Sequence, residues 1–577
     1  MFNRYFQEEL DNLKDLGGEF SKAHPAVAPM LSGRSSDPDV DRLLEGVAFL
    51  TALLRQKLDD EFPEIIHELV QLIWPHYLRP LPSTSIVAFN PKPTLKQPMV
   101  IPPGTQVASA PVEGVSCLFQ TCYPVEVHPL RLLEASFVET AGQPPAIRLM
   151  LELKGANLAD WQPQALRLYL AGDFPTAADL YLLLRRYLTR ISISAAGSKS
   201  VLTLRPESLK PVGFGQHEGV IPYPTNSFPG YRTIQEYFIL PEKFLFLDLV
   251  GWDQWQDRGK GGRFEVRFEL DQIPFASPRI KTSDFVLFAT PVINIFPYDA
   301  DPIRLDHRRT EYRVRPSGLK DAHYQVYSVE KVIGFVQGTA EERVYAPFEL
   351  FRPDSQGVPV YRVNIRNSPV RPGFDVYLSV AYPPESAPPV AETLSIELLC
   401  TNGFLPEEIR TGDIALPTSS SPEQVDFKNL RPPTSNILPP LGTNLLWRLI
   451  SHLSLNYASL SNTENLQTLL NLYLFRDPRK PEASLANQKR VAGIQSIESR
   501  GTDRLVSGVL TRGRDIELEA RHDHFASQGD LFLFGSIIDH FLGSYASINA
   551  FTRLSLREVL TGEIYQWPAR LGDHPLI

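Results

Sequence analysis

The sequence predicts an α+β multidomain protein with an N-terminal helical bundle, β-sandwich-like middle domains and a mixed helical and β C-terminal region. Three observations support this class. The chain has 577 residues, several times the ~150 residues expected of one domain. Apolar residues recur at steps of three and four near both ends, whereas short runs of alternating polarity fill the middle. Proline is frequent, at 51 residues, and it separates these runs because helix interiors and central strands exclude it.

The first predicted element is a helix that begins close to the N-terminus. Its apolar residues recur as on one face of an α-helix, and Gly17 and Gly18 are expected to weaken its end. The apolar face consists of Phe2, Tyr5, Phe6, Leu10, Leu13, Leu16 and Phe20.

A second, longer helix follows. Asp37 can cap it, and Pro38 suits the first helical position. Its apolar face consists of Val40, Leu43, Leu44, Val47, Leu50, Leu54 and Leu58. Pro63 is predicted to open a third helix, which Pro75 ends. The three helices together predict a small bundle over residues 1–83.

From residue 84 the pattern changes to short strands. Segments such as SIVAFN, IRLMLELKG and RFEVRFEL alternate in polarity and are separated by proline and glycine. They predict two β-rich domains, 84–231 and 232–416, with a helix between strands at Ala177 to Thr189. The Pro- and Ser-rich segment 417–442 is predicted to be a linker.

Helical spacing returns in the C-terminal region, 443–577. Ser461 and Glu464 match a capping box, which predicts a helical hairpin around this point. The strand-like segment RDIELEA follows, then helical spacing from Asp530 to Tyr545, and finally a strand at TRLSLREVL.

Composition disfavours several classes of function. The formal net charge is −9, whereas surfaces that bind duplex nucleic acid carry a basic excess. Three cysteines without a C-x-x-C pair support neither a disulfide framework nor a four-thiolate zinc site. The N-terminus lacks a signal-peptide pattern, and no segment has the roughly 18 uncharged apolar residues of a membrane span. We therefore expect a soluble, cytoplasmic protein that does not bind nucleic acid.

Patterns that could hold a metal ion are incomplete. His67 and Glu68 begin a zinc-protease motif, but Gln71 stands where the second histidine is needed. His522 and His524 would share one face of a strand, yet the sequence offers no third ligand beside them.

Two further candidate motifs are typical of turns and do not predict a binding site. Asp299 and Asp301 precede Pro302, a combination typical of a turn between strands. The pair Gly213 and Gly215 lacks the third glycine of a dinucleotide-binding loop. We therefore predict no catalytic residue, no cofactor and no bound metal.

Five long phrases, taken in order along the chain, give a more specific signal. They are FSKAHPAVAPML, DPDVDRLLEGVAFLTALLRQKLDDEFPEIIHELVQLIWPHYLRPLPS, TPVINIFPYDADPIRLD, LLWRLISHLSLNYASLS and LFLFGSIIDHFLGSYASINAFTRL. Together they resemble the TssF family, the baseplate subunits of type VI secretion systems, over essentially the whole length.

The resemblance implies a non-catalytic wedge protein, similar to the wedge proteins of contractile phage tails. It implies assembly with TssG, TssK and TssE around the VgrG hub, beside another TssF copy. It also implies that the baseplate starts assembly of the inner tube and contractile sheath. The baseplate would dock at the inner face of the cell envelope, on the membrane complex and chiefly through TssK.

We expect the apolar helix faces to bind these partners in a shared helical bundle. An intramolecular bundle that buries the same faces is the alternative. The predicted partner-binding residues are Val40, Leu43, Leu44, Val47, Leu50, Leu54, Leu58, Leu10, Leu13, Trp447, Leu453 and Tyr457.

A second class of function stays open at the level of the sequence. A carbohydrate-active β-sandwich enzyme could use dispersed carboxylates such as Asp299, Asp301 and Asp523. The separation of such a carboxylate pair depends on the tertiary structure, so the sequence alone does not test it.

Overall fold

The structure of the protein is a computed structural model. It contains both helices and strands, as the sequence predicts. The structure describes residues 2–24, 26, 38–196, 200–223, 227–259, 261–271, 273–318, 323–338, 341–348, 358–369, 372–382, 391–441, 447–448, 450–451, 462–475, 481–506, 509–548 and 550–572.

Seven α-helices have described bounds. They are α1 (Phe2–Ala23), α2 (Pro38–Ile73), α3 (Phe174–Arg186), α4 (Pro229–Ile239), α5 (Thr463–Leu472), α6 (Pro481–Ala492) and α7 (Gln528–Tyr545). None of the described helices is long and apolar enough to cross a lipid bilayer.

Helix α2 corrects the prediction of two helices divided at Pro63. It continues from Pro38 to Ile73, so Pro63 lies inside it, and α1 likewise continues through Gly17 and Gly18. A proline inside a helix removes one backbone hydrogen bond and costs about 3 kcal/mol. The long helical stretches on both sides of Pro63 outweigh this cost. The predicted three-helix bundle is therefore a helix pair followed by a short 3₁₀ turn.

Other helices lie close to their predicted positions, with different caps. The helix predicted from Ala177 is α3, which starts earlier because the Asp173 side chain accepts a hydrogen bond from the Thr176 N–H. At the start of α5, the Asn462 side chain accepts from the Glu464 N–H at 2.8 Å. Asn462 is therefore the cap residue, and the Ser461 predicted for this role lies outside the described residues.

Thirty strands have described bounds. In chain order they are β1 (Thr84–Pro91), β2 (Met99–Ile101), β3 (Gln106–Val112), β4 (Val115–Thr121), β5 (Val125–Val127), β6 (Leu130–Val138), β7 (Ala146–Leu153), β8 (Ala165–Leu170), β9 (Leu188–Ala195), β10 (Val201–Leu204), β11 (Leu209–Val212), β12 (Phe246–Val250), β13 (Arg263–Leu270), β14 (Phe285–Leu287), β15 (Ala289–Ile293), β16 (Phe296–Asp299), β17 (Ile303–Leu305), β18 (Tyr312–Val314), β19 (Gln325–Val336), β20 (Glu342–Pro347), β21 (Val360–Asn367), β22 (Phe374–Ala381), β23 (Glu392–Thr401), β24 (Ile414–Pro417), β25 (Val425–Asn429), β26 (Ile494–Val506), β27 (Val509–Ala520), β28 (Ala550–Glu558), β29 (Ile564–Gln566) and β30 (Arg570–Leu571).

These strands form six sheets within the described residues. The three sheets nearest the N-terminus have the orders β24-β3-β4-β15-β1-β25, β10-β9-β13-β7-β6 and β11-β12-β8-β14. A further sheet has the order β16-β23-β19-β20-β21-β22-β18, with β17 paired to β23, and β2 pairs with β5 alone. The C-terminal sheet has the order β26-β27-β28-β29, with β30 paired to β28. The described pairings are antiparallel except β20 with β21 and β27 with β28.

The chain divides into two compact units. The helical unit comprises Met1–Leu78 and Pro440–Leu449. The β-rich unit comprises Arg79–Pro439 and Ile450–Ile577. The sandwich-like packing expected of the middle strands stays a prediction.

The segment predicted as a linker, 417–442, contributes a strand instead. β25 lies within it and pairs with β1 along its whole length. The buried Asn429 side chain at the end of β25 accepts from the N–H groups of Gly412 and Ile414 and donates to the Arg410 carbonyl, each at 2.9 Å. A proline- and serine-rich composition signals turns, but it does not report the distant strand that the segment pairs with.

The predicted boundary between 84–231 and 232–416 is also corrected. It falls inside α4, and strands from both sides of it share sheets. In β13, Val266 lies opposite Leu149 of β7 and Ile193 of β9. Cross-strand apolar pairs of this kind stabilise a sheet, and alternation within one strand does not identify the partner strand.

Helix α7 is a buried helix of the β-rich unit. It packs against α3, α4 and β28, and most of its residues are buried. Two glycines permit this packing: a Cβ at Gly529 would lie 2.1 Å from the backbone of Ala178 in α3, and one at Gly535 would lie 2.4 Å from the Trp567 ring. Any larger residue at either position would displace the helix.

A buried carboxylate anchors the first turn of α7. Asp530 accepts hydrogen bonds from the Tyr237 hydroxyl at 2.8 Å, from Arg490 Nε at 2.9 Å and from the Ala526 N–H at 3.0 Å. Tyr237 lies on α4 and Arg490 on α6, so one side chain connects three helices. Burial and the nearby Asp530 raise the pKa of Tyr237, which keeps its hydroxyl a donor.

His128, between β5 and β6, is a second buried polar side chain. Trp161 Nε1 donates to His128 Nδ1 at 3.2 Å, and the Glu126 carboxylate lies 3.6 Å from His128 Nε2. Burial lowers the pKa of His128 from its ordinary 6.5 to about 4. The imidazole is therefore neutral at pH 7.

We predict that His128 makes the fold sensitive to acid. Its pKa in the folded chain, about 4, lies below the ordinary 6.5, so between these values the unfolded chain binds the proton more readily. The stability that neutral His128 contributes is complete above pH ~6.5 and is lost as the pH falls toward ~4, by up to about 3 kcal/mol. Denaturant unfolding between these pH values should show a shallower pH dependence for His128→Gln than for the wild type. The exposed control His217→Gln should match the wild type, and equal slopes for H128Q and wild type would contradict the assignment.

Candidate protein–protein interface

Four apolar side chains of α2 lie exposed on one side of the helix. The exposed fractions are 68% for Leu43, 46% for Val47, 62% for Leu50 and 63% for Leu54. Their spacing of four, three and four residues is that of the a and d positions of a coiled coil. We call these four residues the α2 stripe. A continuous exposed apolar seam of this kind marks an interaction surface.

A different side of α2 faces α1. Ala48 and Ala52 are fully buried, and the next residue along this side, Arg55, pairs with Glu9 of α1 at 2.6 Å and with Glu8 at 3.6 Å. Small side chains let two helix axes approach closely. The α1–α2 contact therefore uses the alanine side and leaves the α2 stripe uncovered.

The remaining predicted partner-binding residues differ in their surroundings. Val40 and Leu44 of α2 and Leu10 and Leu13 of α1 are half-buried. The side chains of three predicted residues lie outside the description: Leu58, Leu453 and Tyr457.

The predicted partner-binding set omits part of this apolar surface. Leu16 and Phe20 on α1, and Leu53, Leu69 and Ile73 on α2, are also exposed. The periodicity already places Leu16 and Phe20 on the apolar face of the first helix, so the same signal could have added them to the partner-binding set. Periodicity alone does not distinguish a face covered by the chain itself from a face left open.

Trp447 adds an exposed aromatic side chain to the helical unit, at 69% exposure. Its neighbour Arg448 donates from Nη1 to the Tyr77 hydroxyl at 2.6 Å, and the Tyr77 ring stacks on Trp74 with 3.7 Å between centroids. Burial raises the pKa of Tyr77 despite the opposing effect of Arg448, so the hydroxyl stays protonated. The contact holds Arg448, and with it the neighbouring Trp447, beside the 3₁₀ turn that follows α2.

The histidines considered for metal binding have local structural partners. They lie on a 3₁₀ turn, not on the strand that would align them. His522 Nδ1 lies 2.8 Å from Glu558 Oε1, and His524 Nδ1 lies 2.9 Å from a backbone carbonyl. Asp523, between them, pairs with Arg521 at 2.7 Å. In the part of the chain that the structure describes, no group of three or more His, Cys, Asp or Glu side chains could hold a metal ion.

Asp299 is the last residue of β16, and Asp301 lies in the connection between β16 and β17. The Asp301 N–H donates to the Arg315 carbonyl at 2.8 Å, and the Asp299 carbonyl accepts from the Ser317 N–H at 2.9 Å. These backbone bonds account for the turn without a ligand.

The glycine turn at 213–215 holds a carboxylate of the chain itself. Glu218 Oε2 accepts from the N–H groups of Gly213 and Gly215, both at 2.8 Å. Gly213 has a φ of +103°, and a Cβ there would lie 2.7 Å from the Lys243 carbonyl, so only glycine suits the position. Glu218 occupies the donors that a phosphate would need.

The thiols are poor nucleophiles in this fold. Cys117 and Cys400 are buried, and burial raises the pKa of each to about 12. Burial also raises the pKa of Cys122, followed by the effect of the nearby Glu236. Protonated, enclosed thiols are inert toward substrates.

Comparison with known proteins gives matches over nearly the full chain. The family model described as Type VI secretion system, TssF matches residues 1–574. The Type VI secretion system component TssF1 of Pseudomonas aeruginosa PAO1 is 30% identical over 623 aligned residues, which cover 99% of this chain and 98% of that relative.

Two solved structures contain chains of similar fold. One belongs to the type VI secretion system TssK-TssF-TssG baseplate subcomplex, with a TM-score of 0.78 and 29% identity over 92% of this chain and 98% of that chain. The other belongs to the baseplate complex from the type VI secretion system, with a TM-score of 0.62 and 25% identity over 100% of both chains.

We predict that Tyr77→Phe loosens residues 447–448 from the end of α2. The variant keeps the ring that stacks on Trp74 but removes the hydroxyl that accepts from Arg448. A hydrogen bond to a charged donor contributes about 1.5–3 kcal/mol, so amide exchange in this segment should accelerate about tenfold or more. Hydrogen–deuterium exchange measures the change, with Tyr324→Phe in the β-rich unit as the control. Unchanged exchange in Y77F would show that another contact holds the segment.

Proposed function

The chain belongs to the TssF family of type VI secretion systems, and from this membership we infer that it is a structural wedge subunit of the secretion baseplate. The family match over residues 1–574 carries the inference and confirms the resemblance seen in the sequence. The similar chains in solved baseplate assemblies support it. In this role the protein holds neighbouring subunits in a fixed geometry and performs no covalent chemistry.

TssG and TssK are the proposed direct partners, since one similar chain is part of a TssK-TssF-TssG subcomplex. We extend the proposal to TssE, the VgrG hub and another TssF copy, which the family resemblance implies. The inner tube and sheath would connect to this protein by way of the baseplate, and the membrane complex indirectly. The protein would work in the cytoplasm, at the inner face of the cell envelope.

We assign the α2 stripe to contact with a helix of TssG. Its heptad spacing suits knobs-into-holes packing against a second helix. Full burial of an aliphatic side chain contributes about 1.5–3 kcal/mol, and these four are 46–68% exposed, so covering them gives about 4–7 kcal/mol before ordering costs. The proposed surface also includes the exposed Trp447 and the remaining predicted residues, which are half-buried or lie outside the described residues: Val40, Leu44, Leu58, Leu10, Leu13, Leu453 and Tyr457.

The carbohydrate-active alternative gains no support from the described residues. A glycosidase needs two carboxylates that face one bound sugar from opposite sides. Asp523 pairs with Arg521. Asp299 ends β16 and Asp301 follows it, and backbone hydrogen bonds explain the conformation of both. We therefore propose binding geometry, not catalysis, as the function.

We predict that Leu50→Glu abolishes stable binding to the TssG counterpart encoded by the same organism. Leu50 is mostly exposed in the free chain, so the new charge leaves the fold intact but opposes burial in a helix interface. The lost packing and the desolvation cost should lower the affinity about 100-fold or more. Co-expression followed by co-purification and size-exclusion mass measurement gives the result.

The matched control is Leu485→Glu on α6, where a leucine is 60% exposed on another helix. This variant should bind TssG as the wild type does, and circular dichroism should show that both variants are folded. Stoichiometric binding by folded L50E would refute the assignment of the α2 stripe to TssG.

A further inference from the structure

A cleft of about 520 Å³ lies between two sheets of the β-rich unit. Leu130, Arg131 and Leu132 of β6 line it on one side, and all of β14 lines it on the other. β6 is the terminal strand of its sheet and β14 the terminal strand of a second sheet. Within the described ranges, no further strand pairs with either edge. The volume falls in the range of clefts that bind ligands.

The backbone of β6 offers unpaired groups at this cleft. The Lys154 N–H donates to the Pro129 carbonyl at 2.7 Å, which fixes the phase of the β6–β7 ladder. Because bonded and non-bonded pairs alternate along antiparallel strands, the N–H and C=O groups of Leu132 point away from β7.

The backbone of β14 behaves in the same way. The Ala171 N–H donates to the Asp284 carbonyl at 2.8 Å, so the N–H and C=O groups of Leu287 point away from β8. Two open sheet edges therefore meet at one cleft. Natural proteins usually cover such edges, because they accept additional strands.

The side chains of the cleft form an apolar floor and a cationic rim. The floor consists of buried residues, namely Leu95, Leu130, Phe285, Leu287 and Phe288.

The rim carries Lys92, Arg131 and Lys154, and no carboxylate occurs among the described lining residues. Lys92 pairs with Asp426 at 3.3 Å, whereas Arg131 and Lys154 are exposed and form no ion pair with the described residues. In a chain of net charge −9, this rim favours an acidic ligand.

One residue of the floor has an unusual backbone. Phe288 has a φ of +55°, a left-handed conformation that is rare for a bulky side chain. Its carbonyl accepts from the Phe89 N–H at 3.0 Å, which holds this conformation between β14 and β15. Strained backbone of this kind is concentrated at functional sites.

We propose that this cleft binds an extended, acidic segment of a baseplate partner, which adds as a β-strand to the open edge of β6. The segment pairs its backbone with Leu132, places alternate apolar side chains on the floor and presents acidic ones to Arg131 and Lys154. The inference rests on the proposed baseplate function, but it concerns the β-rich unit and not the α2 stripe.

The first test compares hydrogen–deuterium exchange of the full chain alone and in complex with the TssG and TssK counterparts. Amides of residues 130–132 and 285–287 should exchange more slowly in the complex. A complex that forms without this protection overturns the cleft proposal and leaves the baseplate function intact. If the wild-type chain forms no complex, both proposals fall.

The second test reverses the charge of the rim with Arg131→Glu and Lys154→Glu together. The control combines Arg205→Glu and Lys210→Glu, which change the net charge equally at exposed positions elsewhere in the same unit. The probes are 15-residue synthetic peptides that tile the TssG and TssK counterparts, with binding measured by fluorescence anisotropy.

We predict that acidic, alternating peptides bind the wild type and the control, and that they bind the rim variant more than about tenfold less tightly. Added salt should weaken the wild-type interaction as well. If the rim variant binds the peptides as tightly as the wild type does, the proposal is wrong. The role left for the cations would then be to prevent aggregation through the open edges. Absence of any bound peptide, or preference for basic peptides, overturns it too.

Discussion

The position of α7, the buried helix of the β-rich unit, depends on the burial of one carboxylate, that of Asp530. Removing a charge from water costs several kcal/mol unless charged or polar partners replace the solvent. Tyr237 and Arg490 supply these partners from two other helices, and the Ala526 N–H supplies a third. These groups satisfy the polar start of α7, and Arg570 pairs with Asp539, the second buried carboxylate of the helix, so the otherwise largely apolar helix can be enclosed. The positions of α3, α4 and β28 follow from contact with it.

Elsewhere in this unit, long-range polar contacts also satisfy buried polar groups. Glu236 on α4 accepts from the N–H groups of Val220 and Ile221 at 2.7 and 2.8 Å and pairs with the buried Lys243. Burial lowers the pKa of Lys243, and the Glu236 carboxylate opposes that effect. Asn429 connects β25 to the turn before β24 in a comparable way. Irregular segments thus have defined positions because their backbone groups bond to buried side chains.

The sequence predicts elements well where one local period dominates, as in residues 38–58 of α2 and in α7. It fails where a distant strand determines the structure. Segment 417–442 has the composition of a linker, yet β25 within it pairs with β1. Pro63 is a valid break signal that a long helix overrides. For the interface, periodicity identified Leu43 to Leu54 as one face, but only the packing of Ala48 and Ala52 shows which side stays open. The open edges of β6 and β14 have no sequence signal, because sheet order is a property of the whole fold.

The late position of α7 in the chain affects how the molecule is made. The Gly529 N–H donates to the Asp179 carboxylate of α3 at 2.8 Å, across 350 residues of sequence. At translation rates of about 5–20 residues per second, the ribosome needs roughly 20–70 s to deliver this partner. During that interval the side of α3 that α7 covers is without its native partner, and such exposed apolar surface makes a nascent chain prone to aggregation.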